Sequence, residues 1–344
     1  MLNLPGFAPK WSAPPLSATE IDDRRWLAAA ASLARRGLPL ARPNPAVGAL
    51  IVRDGKVVAS GWTGDGGRPH AEAVALERAG DAARGAALYV TLEPCAHLSP
   101  RGPACADLVA ASGLARVVIG CPDPDPRTAG AGIARLREAG IDVAVVPSPE
   151  AEATLAPYLT LRRLGRPHVT LKLATSLDGC IAMADGTSRW ITGDAARAHA
   201  HALRARCDAI LVGGGTLRAD DPALDVRLPG LEHRSPQRWV RSRGAAPEGW
   251  RALAAPGDIA GMDVVLSLLV EGGAAAAAAF LKAGLVDRLL LYRAPILLGA
   301  GLPCLADIGL ASLDAAHGRW QLSDRRQLGS DTMEVYESVP CSPE

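Results

Sequence analysis

Three side chains constrain this chain more than any others: His70 in Pro69-His70-Ala71-Glu72, Cys95 in Glu93-Pro94-Cys95, and Cys105 further along. One imidazole and two thiolates are the nitrogen and sulfur donors that zinc prefers, and three protein ligands leave a fourth position open for water. A fold that lets them hold one ion must bring the start of a helical segment and two cysteine-bearing segments to one point. Glu72, two residues beyond the histidine, then stands where it moves protons without binding the metal.

Each piece alone admits an ordinary reading. A His-x-Glu pair usually lies on an exposed helix face, and free cysteines are often buried thiols. Context makes the combination more specific. The strand-like run Ala87-Leu88-Tyr89-Val90-Thr91-Leu92 delivers Glu93-Pro94-Cys95. Proline tolerates a helix start, which predicts Cys95 in the first turn of a helix, where the dipole favours thiolate. Together the residues form the zinc-deaminase signature, in which the metal activates water for attack on an amino-bearing ring carbon and the glutamate shuttles protons.

Size and charge narrow the alternatives. At 344 residues the chain has room for two domains. Its 49% hydrophobic and 21% charged content describes a folded protein. A net charge of +1 leaves no nucleic-acid footprint. The seven cysteines are scattered, from Cys95 and Cys105 through Cys121, Cys180, Cys207 and Cys304 to Cys341, which predicts a reducing compartment. Met1–Lys10 lacks a basic segment followed by an apolar one, and the apolar run near Ala274–Leu281 is too short for a bilayer, so the expectation is a cytoplasmic chain without membrane contact.

Residues 1–18, with Pro5, Pro9, Pro14 and Pro15, read as a disordered tail. Helical spacing begins near Ile21 and stops at Gly37; Arg53-Asp54-Gly55 marks a hairpin between 47–52 and 56–60. A helix is predicted over His70–Ala79, then strands at 87–92, 115–120 and 141–146 separated by helices at 103–112 and 128–139. That alternation is α/β. A linker helix over about 150–164 leads to a second α/β unit: strand 168–174, helix 194–206, buried strand 208–212 running into Gly213-Gly214-Gly215, strand 264–270, helix 274–283, and strands near 286–293 and 331–339. The small residues at 274–280 suit a subunit contact as well as a helix–sheet core. The arginine- and proline-rich stretch 227–251 has only weak periodicity and receives no assignment.

In this order and spacing, several stretches resemble the bifunctional riboflavin-biosynthesis deaminase–reductase family: Arg42-Pro43-Asn44-Pro45-Ala46-Val47-Gly48, Pro69–Glu72, Thr91–Cys95, Asp123-Pro124-Asp125-Pro126, Leu171–Gly179, Trp190-Ile191-Thr192, Ala219–Leu224 and Glu271-Gly272-Gly273. The resemblance spans about residues 20–338. It implies a cytidine-deaminase-like three-layer α/β domain over 19–147, a linker over 148–165, and a dihydrofolate-reductase-like α/β domain over 166–340. It further implies zinc-dependent hydrolytic deamination of a phosphoribosylated diaminopyrimidinone, then reduction of the ribosyl group to ribityl by NADPH. The implied partner is that small phosphorylated pyrimidine, and a homo-oligomer is compatible with the sequence.

By the same resemblance His70, Cys95 and Cys105 are zinc ligands and Glu72 the catalytic proton carrier. Asn44 and Arg101 match substrate positions of the first domain; Asn44 between two prolines also suits an Asx turn. In the second domain Ser188, Arg204, Leu224, Arg227 and Glu271 match substrate-binding positions, and Ala174, Trp190, Thr216, Asp220 and Gly273 match dinucleotide-binding ones. Lys172 and Asp178 flank the expected cleft. Trp190 also reads as a core aromatic, and Gly213–Gly215 as no more than a sharp turn. The loop Ala96–Ala104 is one residue longer than the family pattern, and Cys180 replaces a more usual basic residue. Between Arg227 and Glu271 the chain is shorter than the pattern, with Arg238-Trp239-Val240-Arg241-Ser242-Arg243 where a strand ending in aspartate is expected. That departure raises an alternative: a deaminase whose reductase-like half is degenerate and non-catalytic. Two further readings are a deaminase acting on nucleic acid or free cytidine, and a structural zinc domain with His97 as fourth ligand.

Overall fold

The computed structural model describes residues 17–97 and 99–339. Residues 1–16 of the expected tail, Leu98 in the loop after Cys95, and Cys341 lie outside the described residues. Ser17 and Ala18, assigned to that tail from sequence, instead begin the first helix, α1 (Ala18–Ala34). Ser17 Oγ accepts the Glu20 N–H at 3.2 Å while Glu20 accepts the Ser17 N–H at 2.8 Å, a capping box that satisfies otherwise orphaned donors.

In the first domain β1 (Gly48–Arg53) and β2 (Lys56–Trp62) form the expected hairpin, with Asp54 and Gly55 both at positive φ. Then come α2 (Ala71–Ala79), β3 (Ala87–Val90), α3 (Cys105–Ala110), β4 (Arg116–Ile119), α4 (Ala131–Glu138), β5 (Asp142–Val145) and α5 (Pro149–Leu164). The strand order is β2-β1-β3-β4-β5, with β3, β4 and β5 parallel. Alternate residues explain the three layers. Ala49, Ile51, Leu88, Val90, Val117 and Ile119 face a core with Ala71, Ala75, Val109 and Leu136 of α2, α3 and α4. Leu50, Val52, Tyr89 and Val118 face Leu27 and Ala30 of α1. The helix expected as a linker, α5, lies beside α1 and buries Ala151, Leu155, Tyr158 and Leu159.

The second domain follows with β6 (His168–Thr175), β7 (Cys180–Ala182), α6 (Asp194–Arg204), β8 (Ala209–Gly213), α7 (Gly214–Asp220), β9 (Gln237–Arg241), β10 (Trp250–Leu253), β11 (Ser267–Val270), α8 (Ala274–Lys282), β12 (Arg288–Arg293), β13 (Leu302–Pro303), β14 (Trp320–Leu328) and β15 (Asp331–Ser338). Its main sheet has the order β10-β9-β8-β11-β6-β12-β15-β14, parallel from β10 to β12 and antiparallel beyond. Four features depart from the sequence reading. The glycine triplet opens α7, the unassigned stretch holds β9 and β10, β14 forms an outer edge, and β7 pairs with β13 outside the main sheet. The small residues of α8 serve a helix–sheet core: Ala276, Ala277, Ala278 and Phe280 are buried within the chain. No described helix is long and apolar enough to cross a membrane.

His168, the first residue of β6, gives this architecture an acid sensitivity. Burial drives its imidazole down to about 4. The folded state keeps it neutral, while the unfolded chain takes a proton below about 6.5. The stability it contributes is therefore complete above about 6.5 and is lost as pH falls toward about 4, amounting to about 3 kcal/mol. Urea unfolding followed across this window should show a steeper acid loss for the native chain than for His168→Gln; parallel curves would remove His168 as the cause.

Candidate functional sites

The first site assembles at the carboxyl ends of β3 and β4. His70 is the N-cap of α2, which places Glu72 in the first turn with only 3% of its surface exposed. Cys105 is the first residue of α3. Cys95 is not helical, contrary to the expectation from Pro94; it lies in an irregular loop after β3. Glu93 fixes that loop. Its carboxylate accepts N–H bonds from Asp123 and Gly130 at 3.2 Å, Gly132 at 3.0 Å and Ile133 at 3.2 Å, so it caps α4 and anchors Cys95. The helix that favours thiolate is α3, acting across the gap: the Cys105 backbone N–H donates to Cys95 Sγ at 3.3 Å.

His70 Nδ1 stands 3.1 Å from Cys105 Sγ and 3.5 Å from Cys95 Sγ, and the three ligand atoms lie within 4.8 Å of one another. Tetrahedral zinc with bonds of about 2.05 Å to nitrogen and about 2.3 Å to sulfur sets N···S at about 3.6 Å. The donor set and its spacing fit that ion. The Cys95 thiol is pulled well down, first by the Cys105 thiol donating to it and then by His70, and Cys105 is pushed up as the partner that keeps the proton. Burial raises the Glu72 carboxyl, opposed by His70. His97 is not a fourth donor; its Nδ1 turns to Thr128 Oγ1 at 3.4 Å. Losing one of only three ligands should weaken zinc by more than about 100-fold, because changes merely behind a ligand already cost about 10–100-fold. Metal analysis of Cys105→Ala should find the chain essentially zinc-free; full occupancy would remove Cys105 from the ligand set.

His70, Glu72 and Cys95 line a cavity of about 180 Å³ that Asn44 and Arg101 also line. The Asn44 side chain lies against Gly67, where an added Cβ would come within 1.9 Å of Asn44 Nδ2 and φ is +82°, so glycine is required there. Among the described residues the Asn44 side chain forms no Asx-turn bond; its Nδ2 donates to Gly66 O at 3.5 Å. Arg101 donates to Gly66 O at 3.0 Å and presents an exposed guanidinium at the mouth. Asp123, Asp125, Tyr158 and Arg162 are among the lining residues that received no role from sequence. Tyr158 donates to Asp123 at 2.9 Å, and Arg162 pairs with Asp125 at 3.3 Å. Tyr158 and Arg162 are four apart on α5, a spacing that marks one helix face.

The second site is a cavity of about 470 Å³ at the carboxyl ends of β6, β8 and β11, the usual crevice for ligands of an open α/β sheet. The structure brings Ser188, Arg204, Leu224, Arg227 and Glu271 together there with Ala174, Trp190, Thr216 and Asp220. Gly273 abuts it: at φ +66° an added Cβ would fall 2.6 Å from Thr216 Oγ1, a backbone cradle of the kind a dinucleotide phosphate needs. Trp190 is no core aromatic; it is 64% exposed, with Arg197 stacked 4.6 Å from its ring centre. Leu224 is buried at φ +52°, a strained backbone held at the cavity wall.

Arg204 and Glu271 form a two-pronged pair, both bonds at 2.8 Å, so Glu271 neutralises the more buried of the two cavity arginines assigned to substrate, and Arg204 also donates to Asp225 O at 3.1 Å. Burial raises the Glu271 carboxyl, but Arg204 and Lys172 outweigh it and hold the group below its ordinary value. Lys172 lines the cavity; Asp178 does not, because it accepts the Leu298 and Gly299 N–H groups and clamps a loop. Arg197 and His201, both in the wall, received no role from sequence. Their i, i+4 spacing, continued by Arg204, was the available signal.

Comparison with known proteins matches both halves. Residues 20–121 match the family model of the cytidine and deoxycytidylate deaminase zinc-binding region. Residues 167–252 and 261–333 match that of the RibD C-terminal domain. The riboflavin biosynthesis protein RibD of Escherichia coli (strain K12) is 39% identical over 361 residues, covering 90% of this chain and 98% of that protein. RibD of Mycobacterium tuberculosis (strain H37Rv) is 41% identical over 311 residues, covering 85% and 90%. The solved structure of Acinetobacter baumannii RibD (form 1) superposes with a TM-score of 0.81 at 35% identity, covering 93% of this chain and 99% of that one. A Thermotoga maritima structure, described as a diaminohydroxyphosphoribosylaminopyrimidine deaminase/5-amino-6-(5-phosphoribosylamino)uracil reductase, gives a TM-score of 0.81 at 30% identity, covering 93% and 100%.

Proposed function

The chain belongs to the RibD family of riboflavin-biosynthesis proteins, and from that membership we propose two successive reactions on one small phosphorylated pyrimidine. The first domain is a zinc-dependent deaminase that replaces an amino group of a phosphoribosylated diaminopyrimidinone by oxygen. The second is an NADPH-dependent reductase that converts the ribosyl group to ribityl. The observation that carries the reading is the convergence of His70, Cys95 and Cys105 beside a buried Glu72, in one chain with an intact reductase fold.

In the first domain His70, Cys95 and Cys105 would hold zinc, which when bound supplies a Lewis acid that lowers the pKa of water toward neutrality. Glu72 takes a proton from the attacking water and returns it to the leaving amino nitrogen, a task suited to a carboxyl whose burial raises its proton affinity. Asn44 orients the pyrimidine, and Arg101 at the mouth meets the phosphate. In the second domain Ser188, Arg204, Leu224 and Arg227 hold the phosphoribosyl group. Glu271 fixes the Arg204 guanidinium, and Ala174, Trp190, Thr216, Asp220 and Gly273 position the dinucleotide. β9 and β10 extend the sheet through the shortened stretch, which supports a working reductase over a degenerate one. A net charge of +1 argues against a polymeric nucleic-acid substrate. The free cysteines among the described residues support a cytoplasmic setting.

Incubation of the purified chain with the phosphorylated diaminopyrimidinone should yield a product heavier by the difference between O and NH. Adding NADPH should yield one heavier by a further two hydrogens. Mass spectrometry reads both; absence of the second product with the first present would restore the deaminase-only alternative.

A further inference from the structure

Two hydrogen bonds that cross between the halves of the chain hold the segment leading to Asn44. We propose that Asp208 and Arg234 of the second domain are positioning residues for deamination: through Arg42 and the Leu38 carbonyl they set where Asn44 meets the pyrimidine. This inference rests on the deaminase reading above.

Residues 38–44 are a run of turns between α1 and β1, with no helix or strand of their own. Their internal bonds are short-range: the Ala41 N–H donates to Gly37 O at 2.8 Å, Arg42 to Pro39 O at 3.1 Å and Asn44 to Ala41 O at 3.0 Å. The first domain adds a backbone strut from the Gly66 N–H to Leu40 O at 2.7 Å. A segment of this kind takes its place from the scaffold its outer groups touch. Two further struts come from 166 and 196 residues downstream: Arg42 Nη1 donates to Asp208 Oδ1 at 3.3 Å, and Arg234 Nη1 donates to Leu38 O at 3.2 Å.

Both downstream groups are themselves fixed. Asp208 immediately precedes β8, and its side chain is 3% exposed. Its Oδ2 accepts the Leu266 and Ser267 N–H groups at 2.9 Å and the Ser267 hydroxyl at 3.0 Å, which ties it to the entry of β11. Among the described residues Oδ1 receives only Arg42, so a carboxylate held by one oxygen offers the other at a set place, as a charge-assisted acceptor. Arg234 ends a short 3₁₀ turn, Glu232–Arg234. The next residue pins that turn: Ser235 Oγ donates to Glu232 O at 2.8 Å and accepts the Val226 N–H at 3.0 Å. Arg42, Asp208 and Arg234 lie outside the lining of both cavities, so their effect on deamination passes through the segment they hold. Asn44 stands two residues beyond Arg42. Displacing a substrate-positioning group by about 1 Å can cost about a hundredfold in rate.

The test uses the full zinc-loaded chain and a double-variant cycle with Asn44. Arg42→Gln and Arg234→Gln should each lower kcat/KM for deamination by about tenfold. Zinc content, and reduction of substrate supplied already deaminated, should stay within about twofold of native. Arg42→Lys keeps the charge and should recover part of the loss. In an Asn44→Ala background either glutamine substitution should cost less than about twofold more, because the group it acts through is already gone. The two contacts are separate, so each variant carries the test if the other fails to fold. Deamination by both variants within about twofold of native, full additivity with Asn44→Ala, or a loss of zinc that tracks the loss of activity overturns the proposal alone. A zinc-loaded native chain that deaminates nothing overturns it together with the deaminase reading, and native deamination by Asn44→Ala removes both it and the role of Asn44.

Discussion

Glu72→Gln should keep its zinc and lose deamination by about a thousandfold, within the range expected for removing a positioned general acid–base. The carboxyl is 3% exposed and is not one of the three clustered ligand groups, so the metal site survives the change. Glutamine keeps the shape and cannot carry the proton that must travel from water to the departing nitrogen. Reduction of substrate supplied already deaminated should be unchanged, because that chemistry occupies a different cavity. Zinc content and single-turnover deamination, measured on the same preparation, check both halves. Deamination within tenfold of the native rate would take Glu72 out of the mechanism.

The second large effect is expected at the Arg204–Glu271 pair. The two side chains are 13% and 6% exposed and share two bonds at 2.8 Å. Removing one member of a buried pair leaves a charge without its counterion, which costs about 3–5 kcal/mol. Glu271→Ala and Arg204→Met should each destabilise the second domain by that order. The double variant should recover most of the loss, giving a strongly non-additive cycle. Denaturant unfolding followed from the second domain gives the stabilities, and NADPH-dependent reduction gives the functional cost. Additive losses would mean that the two groups act independently despite their geometry.

The zinc trio was legible because metal binding demands particular donor chemistries, whatever the fold. The setting of Cys95 was not. Pro94 suggested a helix start, but the Glu93 carboxylate accepts four backbone N–H bonds from distant sequence, three of them at the start of α4, and ties the loop down without a helix. Helix α7 was hidden by three glycines, whose intrinsic preference opposes a helix that tertiary packing nonetheless imposes. β9 and β10 were hidden for another reason. A parallel strand is expected to read as an apolar run, yet here arginine alternates with tryptophan. The structure shows how that pattern is tolerated: Arg238 and Arg251 lay their guanidinium groups over Trp250 and Trp239. β14 carries Asp324, Arg325 and Arg326 at the sheet edge, where charges protect against unwanted pairing and erase the strand signal. In both cavities some of the residues missed by sequence lie on helix faces, Tyr158 with Arg162 and Arg197 with His201, and their spacing carries information only once the facing cavity is known.

Helix α5 decides where this molecule can be divided. It begins at Pro149, within Pro147-Ser148-Pro149, the punctuation that invites a cut, yet its Tyr158 and Arg162 line the first cavity and its Leu155 fills that domain's core. Only at Gly165, in a left-handed turn three residues before β6, does the chain leave one unit for the other. A first domain expressed alone would need this helix, and one truncated at Pro147 would give up part of its cavity wall and core.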